Sequence, residues 1–524
     1  MAQYDKTKQL LRNGNNVLYE VQMQADRYGN IVTENATSRS AFGEPLAVPL
    51  NPVVQEDAIY GIGTGLEQFS QGTGNVAVVD SKMHVETGVD AYSYGVLRSR
   101  RTVRYRPGQG ATTRFTAKFT DGIDGYTQQA GFFSIESALV LGYNGTEFGV
   151  MRDNGGKIQI QELVITDAAT TASDVTWTLN GVPVTATLTI SDLETNIREI
   201  IAQIPATWGR EWSLQPNGDG IIRVTSNSIG VLAGDFSFTA GTTGLVATQS
   251  VIQEGVNGNP IWTPQAEFSL DKLDGTGPSR MTIDPTKLNV FQINFRWLGA
   301  GRMQYSVEDK EGIIVPFHTE FYANKHENVS IDDPSMKIGY IVANTDGLGG
   351  SNVAVEGASF MGAIEGVLNP TNTPITHQHF LATSSKTVYH HLFTIRNRNS
   401  FAGRVNLKEA LLKSLSCNVS STSGNAIATF YIFINATLNT QKTWKPVSES
   451  NSIMYYSDDV GLIDIATNSP SASFQASSAS PVNIDLESFR IVIPPQSEIS
   501  IAVIAPTTSN NFNGAGASLN WLEN

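Results

Sequence analysis

A single cysteine, Cys417, in 524 residues excludes an intramolecular disulfide and a thiolate zinc cage. Charge is sparse too: Asp, Glu, Lys and Arg make up 16% of the chain, against roughly 25% in ordinary soluble domains. Long Lys/Glu-rich stretches are missing, which excludes helical bundles and coiled coils. No apolar run reaches the ~18 residues that a bilayer-crossing helix needs, so no membrane insertion is expected. The opening MAQYDKTKQLLRNGNN has no apolar stretch behind its charges and does not read as a Sec signal or lipid anchor. The expectation is synthesis in a cytoplasm and, if the chain leaves, release by another route. Basic residues are the minority, 35 against 49 acidic, and the net charge of −14 repels nucleic acid over most of the surface.

What is present is strand texture punctuated by 47 glycines. The length calls for several folding units. Residues 1–60 carry turn residues throughout, with only Val17–Met23 strand-like, and read as an extended N-terminal docking arm. Such an arm orders against a neighbour because alone it buries too little surface to offset its chain entropy. From about 95, strands follow one another at Thr113–Phe119, Gly131–Ser134, Ala138–Tyr143, Glu147–Arg152 and Lys157–Ile165. Asn144-Gly145 reads as a type I′ hairpin turn between two of them. The texture resumes at Val290–Leu298, Met303–Glu308, Ile313–His318, Lys337–Val342 and Asn352–Met361. One sandwich over 61–166 and 259–368, interrupted by an insert, accounts for both halves.

The insert, 167–258, reads as a small α+β module. Ser191-Asp192-Leu193-Glu194 forms a capping box, and Leu193, Ile197, Ile200, Ile201 and Ile204 share one helical face before Pro205. A Pro/Asn/Thr linker over 369–375 precedes a second β-sandwich over 376–524. The fold class is therefore mainly β: a jelly-roll sandwich with a small α+β insert, a C-terminal β-sandwich and the arm.

The segments FTAKFT, AGFFSIESALVLGYNGTEFGVMR, NVFQINFRWLGAGRMQYSVED and IGYIV resemble a concanavalin A-like or laminin G-like jelly roll. The later segments FYIFINATL and FRIVIPPQSEISIAV, with the ending ASLNWLEN, resemble the closing domain of tailed-bacteriophage structural proteins. Together the resemblances imply an architecture and a venue, the virion, rather than a chemistry. They lead us to expect a non-enzymatic tail, baseplate or fibre component that assembles as an oligomer and supports host attachment. The alternatives are a capsid-decorating cement or head-fibre protein, or a jelly-roll polysaccharide depolymerase. Expected partners are copies of the chain, as a homotrimer, other virion proteins and a host-surface glycan, with no nucleic acid and no cofactor.

Three groups of residues stand out as candidate sites. Five arginines fall within residues 98–106. In an extended strand Arg98, Arg100, Arg104 and Arg106 project from one face and need acidic company, which a second copy can supply by bidentate pairing; they are the expected subunit interface. Asp121 and Asp124 beside Tyr126 are the candidate glycan contact, since sugars want an aromatic face next to carboxylates; Tyr322 with Asn324 is a second such pairing. His377 and His379 share one strand face and are the candidate metal ligands across a three-fold axis, although no metal is assigned to the single chain. No carboxylate pair of glycosidase type occurs. Glu308, Asp309 and Glu311 cluster, but Asp309-Lys310-Glu311-Gly312 reads as a turn. Serine-hydrolase elbows, metalloprotease helices and P-loops are missing, so no catalytic residue is assigned.

Overall fold

The computed structural model describes residues 7–12, 18–25, 31–32, 49–203, 212–216, 220–345, 349–366, 374–398, 400–401, 404–440, 442–448, 450–464, 468–489, 491–495 and 497–523. Much of the arm, Ile204 and Pro205, and residues 369–373 of the linker lie outside them. The chain divides into a small unit, residues 1–50 with 365–367, and a large unit holding the rest. In the small unit the strands Thr7–Arg12, Leu18–Ala25 and Ile31–Val32 pair antiparallel, more strand than the single segment expected.

The jelly-roll β-sandwich of the large unit consists of two antiparallel sheets. One has nine strands, with Ala111–Phe119 paired to Asn289–Phe295 on one side and to Ala354–Gly357 and Ser359–Glu365 on the other. The other has eight, in which Tyr126–Phe133 sits between Ala138–Asn144 and Ser335–Asn344. Strands from both sides of the insert thus interleave within each sheet. Period-two alternation drives this: along Ala111–Phe119 the side chains of Phe115, Ala117 and Phe119 are buried, whereas Arg114, Thr116 and Lys118 face outward. Phe119, Phe132, Phe291, Phe295, Phe317, Tyr305 and Tyr340 fill the space between the sheets. Phe132 meets Phe295 edge-on at 5.4 Å and 86°, the arrangement that ring quadrupoles favour. The strand Leu50–Asp57 belongs to the nine-stranded sheet, so the last part of the expected arm is sandwich.

The hairpin at 144–147 forms one residue out of the expected frame. Asn144 pairs with Glu147, which leaves Gly145-Thr146 as the central pair. Gly145 has φ 61 and Thr146 is not left-handed, which matches a type II′ turn with glycine first rather than an Asn-Gly type I′ turn.

The insert begins earlier than its turn residues indicate. Ile158–Asp167, expected in the sandwich, is a central strand of the insert's four-stranded sheet, paired with Ile221–Ile229 and Val246–Gln253. The chain leaves the sandwich through Asn154-Gly155-Gly156, and Lys157 bridges Val256 where it returns. A separate core forms around Leu163, Ile165, Trp177, Ile197, Ile200 and Ile222. The helix spans Leu193–Ala202, and its N-cap is Asp192 rather than Ser191: the Asp192 carboxylate accepts from the Thr195 amide at 2.7 Å. Asp192→Ala is therefore expected to speed amide exchange at Thr195 severalfold, while Ser191→Ala leaves it unchanged; hydrogen exchange read by NMR separates the two.

The C-terminal sandwich packs a five-stranded sheet, centred on Phe512–Glu523 and Ala410–Ser421, over a six-stranded sheet centred on His390–Asn397 and Glu498–Ile504. Its core, which includes Phe393, Phe430, Ile501 and Trp521, is distinct from that of the jelly roll.

Candidate ligand-binding cleft

The arginines do not form one stripe. The strand carrying Arg98 ends at Ser99, whose hydroxyl donates to the Arg101 carbonyl at 2.7 Å and bends the chain; pairing resumes at Val103–Arg104 against Ser335 and Met336. Arg98 is used within the chain. Its Nε lies 2.6 Å from Glu67 Oε1, which Lys337 also reaches at 2.7 Å, and its guanidinium lies over the Phe69 ring. Burial pushes the Glu67 carboxyl up, but Lys337 and Arg98 outweigh it and hold the group below the usual range. Arg100 is exposed, and its amide donates to the Gly65 carbonyl at 2.8 Å.

Arg101, Arg104 and Arg106 instead line a cleft of about 600 Å³ where the two sandwiches of the large unit meet. The opposite wall carries Glu409, Asp485 and Glu487, and Val53, Leu411 and Val492 provide apolar surface. Glu409 ties the sandwiches together: it is buried, accepts from the Thr102 amide at 2.8 Å and lies 3.8 Å from Arg101 Nε. Its burial pushes its pKa up, against the pull of Arg101 and the Thr102 amide. Burial also lowers Arg104, with Asp333 opposing and Arg106 adding to the shift. Arg106 is lowered by burial.

The other candidates are dispersed. Tyr126 is 4% exposed, and its hydroxyl accepts from Asn344 Nδ2 at 3.2 Å and the Ser351 amide at 3.3 Å, so its ring offers no platform to a sugar. Asp121 and Asp124 are exposed without it. Tyr322 is buried as well, stacked on His326 at 4.1 Å. His377 and His379 do share a strand face, in Ile375–Ala382, but His377 packs on Tyr456 at 4.2 Å and Phe393 at 5.0 Å, while His379 Nδ1 lies 3.7 Å from Asp458. Among the described residues no three His, Cys, Asp or Glu side chains converge on a metal position. Glu308 ends its strand, and Asp309 Oδ1 accepts from the Glu311 and Ile313 amides at 2.8 and 2.9 Å, the turn expected.

One polar cluster was not expected. On the outer face of the nine-stranded sheet, Lys118 and His84 flank Glu356 across three adjacent strands. Glu356 accepts from Lys82 at 2.5 Å, Lys118 at 3.0 Å and His84 at 3.2 Å. Its carboxyl, pushed up by burial but overruled by these donors, is lowered to about 2. The alternation Lys82-x-His84-x-Glu86 was the only local sign of it.

No protein-family model matches this chain, and no curated protein matches it. Among solved structures, peanut lectin with a 9mer peptide (PVIWSSATG) shares 9% identity over 62% of this chain and 100% of its own, with a TM-score of 0.23. Lectin II from Ulex europaeus shares 8% over 60% and 99%, with a TM-score of 0.22. The Faustovirus major capsid protein shares 8% over 88% and 90%, with a TM-score of 0.10. The jelly-roll fold rests on the strand pairing described above.

Proposed function

We propose that the chain is a non-enzymatic structural protein of a tailed-phage virion, a tail, baseplate or fibre component that assembles as an oligomer and supports host attachment. The observation that carries this reading is the junction at Glu409. A carboxylate of one sandwich, buried and bonded to a backbone amide of the other, makes a stiff connection, since breaking it leaves both partners unsatisfied. Stiff tandem sandwiches suit load-bearing and display better than a cleft that opens and closes. Leu298 and Val329, exposed on loops joined by a 2.8 Å bond from the Ser330 amide to the Gly299 carbonyl, supply apolar surface for a neighbouring copy.

Light scattering on the purified chain is expected to give a stable oligomer, a trimer, and antibody labelling is expected to place it on intact particles. A monomer at micromolar concentration, together with particles that carry none of the protein, refutes the proposal. Turnover of capsule, lipopolysaccharide or peptidoglycan that vanishes in Glu308→Gln or Glu311→Gln replaces it with a depolymerase.

A further inference from the structure

We propose that the outer face of the five-stranded sheet in the C-terminal sandwich binds a neutral oligosaccharide, in a groove of about 700 Å³ that runs across four of its strands. The inference rests on the attachment reading above only for the source of the sugar, a host surface. The binding itself stands on the residues of the groove.

Two rows of cross-strand neighbours build it. Gln378 lies opposite Ser518, Ser518 opposite Ser416, and Ser416 opposite Asn483, and residues directly paired across strands share a face. The next row is Phe380, Gly516 and Asn418, closed at its far end by Pro481. The residues between the rows alternate to the other face, where Cys417 and Ala517 join the core and His379 lies beside Asp458. At a strand spacing of ~4.8 Å each row is about 14 Å long, which suits a short oligosaccharide better than a single hexose. The Phe380 ring fills the space above two glycines of the neighbouring strand: a Cβ at Gly514 would lie 2.9 Å from its Cζ, and one at Gly516 would lie 3.1 Å from its Cδ2. The ring thus rests on backbone, with 50% of the residue open to solvent.

The chemistry of the groove selects hydroxyls without charge. Among the described residues the side-chain amides of Gln378 and Asn418 make no hydrogen bond, and the Ser416 hydroxyl donates to Asn483 Oδ1 at 3.1 Å, which leaves Asn483 Nδ2 to donate outward. An amide offers donors and an acceptor side by side, a match for sugar hydroxyls that each donate and accept. No Asp, Glu, Lys or Arg lines the groove, so a charged ligand would lose hydration and gain no counter-charge. Phe380 supplies an apolar face for the C–H side of a pyranose ring. A second copy fits poorly, since the cores of protein interfaces are rich in aromatics and this face has one.

The test is calorimetric titration of the full chain with maltotriose, cellotriose, triacetylchitotriose and trigalacturonate. One saturable site per chain is expected for at least one of the three neutral sugars, and none for trigalacturonate. Phe380→Ala is expected to weaken binding about tenfold, and Gln378→Ala and Asn418→Ala each about two- to tenfold, the scale of one net hydrogen bond. Gln378 is exposed on the edge strand of the sheet, so its variant serves if Phe380→Ala misfolds. Four results each overturn the proposal: trigalacturonate binding as tightly as the neutral sugars, unchanged affinity in both amide variants, no heat from any probe up to about 10 mM, or a Phe380→Ala chain that loses its oligomer and keeps its sugar affinity, which gives the face to a second copy. Particles that carry the protein while no sugar binds leave the structural reading standing, and sugar binding by a chain missing from particles leaves this one standing.

Discussion

Trp521→Ala is expected to cost the C-terminal sandwich about 3–5 kcal/mol, the range for removing a large aromatic side chain from a core that collapses only partly. Trp521 is fully buried in the strand Phe512–Glu523, which lies between Ile375–Ala382 and Ala410–Ser421. Its role is also polar. The indole Nε1 donates to Glu523 Oε1 at 3.0 Å, and the same carboxylate accepts from the Ser452 hydroxyl at 2.6 Å and the Ile453 amide at 2.8 Å. Trp521→Phe keeps most of the buried area and loses one donor, so it should cost far less than alanine. Urea denaturation followed by circular dichroism checks both variants. The jelly-roll transition should stay in place, since its core is a separate cluster; equal costs for alanine and phenylalanine would sink the cavity argument.

The sheets were legible because alternation is local. Phe115, Ala117 and Phe119 announce an inward face within nine residues, and Leu193, Ile197 and Ile200 announce the helix within eight. Register at turns was less legible: Asn144-Gly145 reads as one turn pair, yet pairing of Asn144 with Glu147 is set by the flanking strands and moves the turn by one residue. The insert boundary was missed for a related reason. Ile158–Asp167 is as strand-like as its predecessors, and only Gly155-Gly156 marks the point where the chain departs.

Sites assembled from distant residues were the least legible. Thr102 and Glu409 lie 307 residues apart, and Lys82 and Glu356 lie 274 apart, so no spacing could join them. Arg98, Arg100, Arg104 and Arg106 were expected on one face, meeting acidic groups of a second copy. Arg98 and Arg101 find carboxylates on Glu67 and Glu409 of the same chain, because the bend after Ser99 turns them toward different neighbours. Tyr126 shows the opposite error: a tyrosine beside two aspartates reads as a binding platform until packing between strands hides its ring.

Acid should loosen the C-terminal sandwich well before the carboxylates titrate, and His391 is the main reason. The side chain is 1% exposed; Nδ1 lies 2.7 Å from the Asp459 carbonyl and Nε2 lies 2.8 Å from the Thr394 hydroxyl, which itself lies 2.7 Å from Ser500 Oγ. A carbonyl can only accept, so Nδ1 donates and Nε2 takes the Thr394 proton; the ring is neutral, and a second proton must reverse the hydroxyl chain. Burial lowers its pKa to about 4, with the Asp459 carbonyl and carboxylate opposing and Lys442 and His379 adding to the shift. An unfolded histidine protonates near 6.5, so between those values the unfolded chain holds more protons and stability falls as pH falls. At pH 5 the loss from this one group is about 2 kcal/mol relative to pH 7.5. His377, also lowered to about 4 by burial, acts in the same direction but is partly open to solvent. Glu356 runs the other way: its depressed pKa adds stability that is fully present above about 4.5 and lost only as pH drops toward 2, so it contributes nothing to a change between 7.5 and 5. Thermal melts across that interval should therefore show a steep loss in the wild-type chain and a shallow one in His391→Gln, whose neutral amide cannot take a proton. A variant that loses as much stability as the wild type would place the acid sensitivity elsewhere.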